Sequence, residues 1–240
     1  MATYEVRLTQ STEIADGTMA FHFTKPTGFT FKPGQALDLI LIDPATPDAE
    51  NPRHTFSIVA APFEEELVIA TRMRDSAYKR ALRSLPVGAP TKIEGPFGSL
   101  VLHKDRARPA VFIAGGIGIT PFMSILRQAA HDQLAQHMRL LYSNCRPEDA
   151  AFLAELQQLE QLNKNFRLVA TMTNIGKSIQ PWTGTTGSID GAFLRNVAAA
   201  LVAPIYYVAG PPALVEAMRT ELNDMDIDDD DIRSEDFYGY

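Results

Sequence analysis

Three glycines in the run Gly115-Gly116-Ile117-Gly118, followed by Ile119-Thr120-Pro121, are the residues of this chain best spaced to do chemistry. The run Ala110-Val111-Phe112-Ile113-Ala114 before them has the length and composition of a buried parallel strand. After them, Thr120 is expected as a helix N-cap and Pro121 as the first helical residue. Phe122, Ile125, Leu126 and Ala129 then recur at helical spacing. A strand, a turn without side chains and a fresh helix N-terminus together bind anions, because bare N–H groups and the helix dipole point at one spot. The dinucleotide fingerprint expects a third small residue where Pro121 stands, and a turn of this kind also occurs for packing alone. Phosphate binding is the preferred reading.

Other chemistry is weaker or absent. Asp224-x-Asp226-x-Asp228, with Glu235 at the twelfth position, mimics a calcium loop. Its sixth position needs glycine for a sharp turn and holds Asp229; its eighth is Asp231, and a strand pattern follows instead of a helix. The run is expected as a solvated acidic loop. His22, His54, His103, His131 and His137 have no metal-ligand spacing, so no metal is expected. No Gly-x-Ser-x-Gly elbow supports a serine hydrolase.

The elements that must position the glycine turn fall into two grammars. Up to about residue 103, short alternating stretches dominate: Tyr4-Val6-Leu8, Met19-Phe21-Phe23, Leu37-Leu39-Leu41, Thr55–Ala60, Leu67–Met73 and Pro90–Ile93. That density predicts an antiparallel β-barrel or sandwich with one short helix at Ser76–Leu85. Lys104 to Pro109 reads as a charged linker. From residue 108, strand patterns at Ala110–Ala114, Met138–Tyr142, Arg167–Met172, Ile205–Ala209 and Ile232–Phe237 alternate with helix patterns. The helices are expected at Pro121–Leu134, Pro147–Leu162, Gly191–Leu201 and Pro212–Asn223. Such alternation predicts an α/β parallel sheet with its ligand at the carboxyl ends of the strands. A cleft between the halves is the default site.

Bulk properties narrow the function. The chain has 240 residues, 45% of them hydrophobic and 21% charged, which suits a globular protein with an ample core. Its net charge of −7 lies wholly beyond residue 110, where 9 basic side chains meet 16 acidic ones. An acidic half argues against a nucleic-acid partner. A single cysteine, Cys145, rules out an intrachain disulfide and a four-cysteine iron–sulfur cluster. No signal peptide and no membrane span are evident, and a cytoplasmic setting is expected.

Four segments in register carry a family resemblance: Arg53-His54-Thr55-Phe56-Ser57, Glu94-Gly95-Pro96-Phe97-Gly98, the glycine turn, and Val208-Ala209-Gly210-Pro211-Pro212. In that order and at those separations, the chain resembles the ferredoxin–NADP reductase family of flavin-dependent oxidoreductases, from Val6 to Tyr240. The resemblance implies an FAD-binding β-barrel domain at 1–103 and an NAD(P)-binding α/β domain at 108–240. Phe56 and Ser57 match the family's ring over the flavin and its hydroxyl near N5. His54 stands where the family has arginine, with Arg53 one residue earlier, so either could meet the flavin phosphate. Arg72-Met73-Arg74-Asp75-Ser76-Ala77-Tyr78 resembles the segment that offers a helix N-terminus to the flavin phosphates. Lys79, Arg80 and Arg83 beyond it are expected as a solvated basic face.

On the dinucleotide side, the resemblance assigns Gly115, Gly116, Gly118 and Thr120 to the pyrophosphate and Gly210 and Pro211 to the nicotinamide ribose. The family's frequent cysteine before that glycine is Ala209 here. Ser143 and Arg146 could hold a 2′-phosphate, whereas Asn144 could contact a bare ribose; NADH is placed slightly ahead of NADPH. Glu235 matches the terminal family glutamate, a proton relay beside Ser57, and Phe237 or Tyr240 covers the second flavin face. Ser57 and Glu235 are the expected catalytic pair. The implied cofactor is FAD, with FMN an alternative, and the co-substrate is NADH or NADPH. The implied activity passes electrons to a separate acceptor: ferredoxin, flavodoxin or an oxygenase component. Rival readings are a free-flavin or ferric reductase and a non-enzymatic nucleotide-binding regulatory subunit.

Overall fold

The computed structural model describes residues 2–42 and 52–238. They form two compact units: one runs to Val101 and takes in Thr120–Gln128, the other comprises Leu102–Ile119 and the chain from Ala129 onward.

The first unit contains β1 (Ala2–Ala15), β2 (Thr18–Thr24), β3 (Ala36–Leu41), β4 (Arg53–Ser57), β5 (Glu66–Arg72), α1 (Ala77–Ser84) and β6 (Pro90–Phe97). The strands pair antiparallel in the order β4-β3-β6-β1-β2-β5. Alternation sets which side is buried: Val6, Leu8, Phe21, Phe23, Leu37 and Leu39 all point into the core. The sheet curls on itself, because the Val59 N–H beyond one edge strand donates to the Val68 carbonyl of the other, at 2.8 Å. That closure also corrects an expected strand. The extended segment leaves the sheet after Ser57 rather than reaching Ala60, since Ile58 N–H is taken by the Gln35 carbonyl at 2.9 Å. Helix α1 lies within the span expected for it, and the Ser76 hydroxyl caps it by accepting from Lys79 N–H at 3.2 Å. Also in this unit, the buried Ser124 hydroxyl donates to the Ala60 carbonyl at 2.6 Å.

In chain order there follow β7 (Ala110–Gly115), α2 (Thr120–His131), β8 (Met138–Asn144), α3 (Leu153–Leu162), β9 (Phe166–Met172), β10 (Thr185–Thr186), α4 (Gly191–Ala198), β11 (Ile205–Gly210), α5 (Pro212–Asn223) and β12 (Ile232–Asp236). The strands form a parallel sheet in the order β10-β9-β8-β7-β11-β12. Successive strands step outward from β7 to one side, then return to its other side at β11. The chain therefore reverses direction across the sheet beside β7, the place where open α/β sheets bind ligands. Val111, Ile113, Leu141 and Val208 from the sheet pack with Leu194, Val215 and Met218 from α4 and α5.

Several expected boundaries shift for local reasons. A 3-10 turn at Gly116–Ile119 runs directly into α2, so Thr120 is the first helical residue and not a flanking cap. The helix expected over Pro147–Leu162 is interrupted: a 3-10 turn ends at Asp149, and Phe152 takes φ +61° before α3 begins. Helices α2 and α4 stop at His131 and Ala198, short of Leu134 and Leu201. The two-residue β10 has no periodic signature. Asp224, Asp226, Asp228, Asp229 and Asp230 of the acidic run are exposed; Asp229 also pairs with Arg219 at 2.8 Å, and the half-buried Asp231 with Arg108 at 2.6 Å. Among the described residues, no helix is long and apolar enough to cross a membrane.

Candidate functional site

The second unit gathers its glycines where β7 and β11 end. Gly115 closes β7, and a side chain there would drive its Cβ to 2.4 Å from Leu214 Cδ2. Gly116 has φ +53° with open space around it, so it supplies the turn's left-handed bend. Gly118 has no such space: a Cβ would lie 2.2 Å from the Ala209 carbonyl oxygen. Gly210 holds φ +155°, and its Cβ would approach the Gly115 carbonyl at 3.1 Å. Four expected dinucleotide residues thus form one side-chain-free patch at the strand ends. Pro211 sits just ahead of α5, whose first residue, Pro212, has no N–H to leave unsatisfied. Thr120 is buried at the start of the twelve-residue α2.

Beside this patch, Ser143 faces Gly115 across the β7–β8 pair and is half-buried. Arg146 follows β8, but its guanidinium is gripped by Asp149 through Nε–Oδ2 at 2.9 Å and Nη2–Oδ1 at 2.8 Å. Glu148 lies 3.9 Å from the same guanidinium and is itself held by Ser178 Oγ at 2.7 Å and Ile179 N–H at 2.8 Å. Glu235 pairs with Ala209 in the β11–β12 register, and burial raises its carboxyl above the ordinary glutamate value. Phe237 N–H donates to the Gly210 carbonyl at 2.9 Å, and the Phe237 ring is buried. Tyr240 lies outside the described residues.

In the first unit, β4 splits its side chains between two neighbourhoods. Arg53 pairs with Glu94 at 2.7 Å and Asp38 at 3.0 Å, and Thr55 Oγ1 donates to Asp38 at 2.5 Å. Glu94 in turn sits below the usual carboxylate range because Arg53 stabilises its charge. His54 turns the other way and packs on the Tyr78 ring, centroids 4.0 Å apart. Burial, with the nearby Lys79 charge, lowers the His54 pKa. Phe56 lies 6.1 Å from the Tyr78 ring and is only 4% exposed, while Ser57 next to it is 7% exposed. Tyr78 is itself buried and donates its hydroxyl to the Leu39 carbonyl at 3.0 Å.

At the start of α1, Met73 N–H donates to the Gly17 carbonyl at 2.7 Å, Ser76 caps the helix, and Ala77 and Tyr78 are its first residues. Lys79 departs from the expected solvated face. It is buried, and its ammonium donates to the Arg72 carbonyl at 2.7 Å. Desolvation, reinforced by Arg74, pulls its pKa down to about 8. Sequence reading missed Lys79 as a buried cation, and Asp38, Glu94 and Asp149 as the partners of the expected phosphate ligands. Asp149, three residues beyond Arg146, carried a legible signal; the others are distant in sequence. Among the described residues, no cluster of histidine, cysteine and carboxylate side chains could hold a metal.

Comparison with known proteins places this geometry in a wider set. Residues 112–220 match the family described as the oxidoreductase NAD-binding domain. The reductase component 2 of terephthalate 1,2-dioxygenase from Comamonas is 28% identical over 197 residues, which are 81% of this chain and 56% of that protein. The chain thus spans little more than half of that relative's length. Ferredoxin–NADP reductase B of Sorangium cellulosum is 27% identical over 225 residues, 90% of this chain and 89% of that protein. Among solved structures, a ferredoxin NADP+ reductase from Neisseria gonorrhoeae with bound FAD and NADP superposes with a TM-score of 0.80 at 21% identity, covering 98% of each chain. A cytochrome P450 reductase from Amycolatopsis gives 0.82 at 19%, covering 98% of this chain and 70% of that one.

Proposed function

We propose that the chain belongs to the ferredoxin–NADP reductase family and is a flavin-dependent NAD(P)H oxidoreductase delivering electrons to a separate acceptor. In this reading, residues 1–103 hold FAD, or less favourably FMN, and residues 108–240 hold the nicotinamide dinucleotide. One observation carries the reading. The side-chain-free glycine patch at the reversal point of the described parallel sheet continues through a 3-10 turn directly into a twelve-residue helix.

The residues present fit both groups. Open space over Gly116, with the N–H groups of the 3-10 turn and of α2, suits a pyrophosphate. Gly118 is required because a side chain would displace the Ala209 end of β11, and with it Gly210 and Pro211, from the nicotinamide ribose. On the flavin side, the capped start of α1 at Ser76, Ala77 and Tyr78, with Arg72 and Met73 before it, suits phosphate, as does His54. Arg53 already serves Asp38 and Glu94, so it orders β4 against β3 and β6. A bound flavin supplies two-electron chemistry, accepting hydride from a reduced nicotinamide and releasing electrons onward. Ser57 would offer its hydroxyl to such a flavin as a hydrogen-bond donor, and Glu235, whose carboxyl burial raises above its ordinary value, would serve as a proton relay. Phe56, buried at the end of β4, would give the flavin an apolar face.

NADH is the favoured co-substrate, because Asp149 already occupies the Arg146 fork that a 2′-phosphate would need. The acceptor is an oxygenase component or a ferredoxin-type protein; the names of the Comamonas and Sorangium relatives support this.

The test is an absorbance spectrum of the purified protein, followed by anaerobic titration with NADH and NADPH separately and mass identification of the released flavin. A yellow protein bleached preferentially by NADH is expected. A colourless protein that FAD and FMN cannot reconstitute would overturn the flavin assignment. A yellow protein that neither coenzyme bleaches would overturn the reductase assignment and favour a regulatory role.

A further inference from the structure

The parallel sheet carries a second concavity that the coenzyme reading does not use. A groove of about 700 Å³ runs along the outer strands beside α4. Arg139 and Arg167 stand at one end of it, each the second residue of its strand, whereas the glycine patch follows the strand ends.

Arg139 and Arg167 face each other directly in the β8–β9 register. Arg139 donates to the Val197 carbonyl, and Arg167 donates to the Phe166 carbonyl at 2.9 Å. Neither forms an ion pair with a carboxylate among the described residues, although this half of the chain is rich in acidic side chains. Two like charges in register on neighbouring strands repel, and an anion between them would turn that repulsion into attraction. Each guanidinium retains unused donors in a planar fork suited to a carboxylate. Away from the arginines the groove is apolar: Val169 and Phe193 line it and pack onto the core cluster beneath. Asn196 adds an exposed amide at the rim.

We propose that this groove binds a small monocarboxylic acid with an apolar body, its carboxylate between Arg139 and Arg167 and its body against Val169 and Phe193. A bare inorganic anion would leave the apolar wall uncovered, and a neutral hydrocarbon would leave the arginines unpaired.

The chain has its own reporter. Its one tryptophan, Trp182, donates its indole N–H at 2.8 Å to the carbonyl of Thr185, a residue of the groove wall. Octanoate titrated into the flavin-loaded protein should change Trp182 emission saturably, with matching calorimetric binding. Octanol and inorganic phosphate should each bind at least about tenfold more weakly, because each lacks one half of the recognition. Arg167→Gln, at an exposed position, and Arg139→Gln should each weaken octanoate binding by about tenfold or more. Val169→Trp should block it by filling the groove. Thermal unfolding of each variant separates lost binding from lost fold. Failure of octanoate to bind, octanol binding equally well, phosphate binding as tightly as octanoate, or unchanged binding by folded Arg167→Gln and Val169→Trp would each overturn the proposal.

Discussion

The α-carbon of Gly118 faces the carbonyl of Ala209 so closely that a methyl group there would sit 2.2 Å from the oxygen and 2.7 Å from the Gly210 α-carbon. Backbone, unlike a flexible side chain, cannot step aside. The 3-10 turn and the end of β11 are therefore held together by the absence of one side chain.

Gly118→Ala should destabilise the protein by about 1–3 kcal/mol through overpacking and raise the KM for the nicotinamide coenzyme. Gly116→Ala meets no protein atom and should lose only about 1–2 kcal/mol from its left-handed φ, but its methyl group would intrude where the pyrophosphate is proposed to sit and should raise the KM as well. Thermal unfolding and coenzyme titration of both variants check this; an unchanged coenzyme KM in Gly116→Ala would contradict it.

Asp149→Asn should release the Arg146 guanidinium. The expected result is a shift of about tenfold in relative kcat/KM toward NADPH, as a charge-assisted pair becomes available to a 2′-phosphate. Arg146→Ala should leave NADH use almost unchanged while costing about 1–3 kcal/mol, because the buried Asp149 carboxylate then loses its two guanidinium hydrogen bonds. Steady-state kinetics with both coenzymes and unfolding curves measure the two effects.

Lys79 gives stability an alkaline signature. Its pKa falls to about 8 in the folded protein from an ordinary 10.5, so between those values the unfolded chain binds more protons. Stability should therefore rise with pH across that window. Lys79→Met should flatten the rise. Chemical denaturation of both proteins between pH 7.5 and about 10.5 is the measurement.

Glu235 has the opposite sign. Burial raises its pKa above the ordinary 4.5, so the folded state holds the extra proton and stability falls as pH climbs through the raised value. Glu235→Gln should remove that fall. It should also slow turnover on the order of 10²-fold while leaving coenzyme binding intact, as expected for the loss of a proton relay. A variant with wild-type turnover at every pH would remove Glu235 from the chemistry.

The periodicities of this chain determined more than its element types. Alternation at Val6-Leu8 and Phe21-Phe23 requires one buried and one open face, and that is enough to specify an antiparallel β half. The uninterrupted run Ala110–Ala114 requires cover on both faces, hence a parallel sheet. Gly115, Gly116, Gly118 and Gly210 were likewise visible, because a missing side chain is a local property. Interrupted elements were not. Phe152 breaks the helix after Asp149 by adopting a left-handed conformation that no residue type announced, and β10 is too short to have a period.

Only the tertiary structure decided how the charges are spent. In the sequence, Arg53 and Arg146 read as candidate phosphate ligands and Lys79 as part of a solvated basic face. In the fold, Arg53 is claimed by Asp38 and Glu94, Lys79 is buried against the Arg72 carbonyl, and Arg146 is gripped by Asp149. Backbone conformation and burial patterning act over a few residues and are written locally. The partner of a charge is set by which strands and turns lie side by side, and that is known only once the chain has folded.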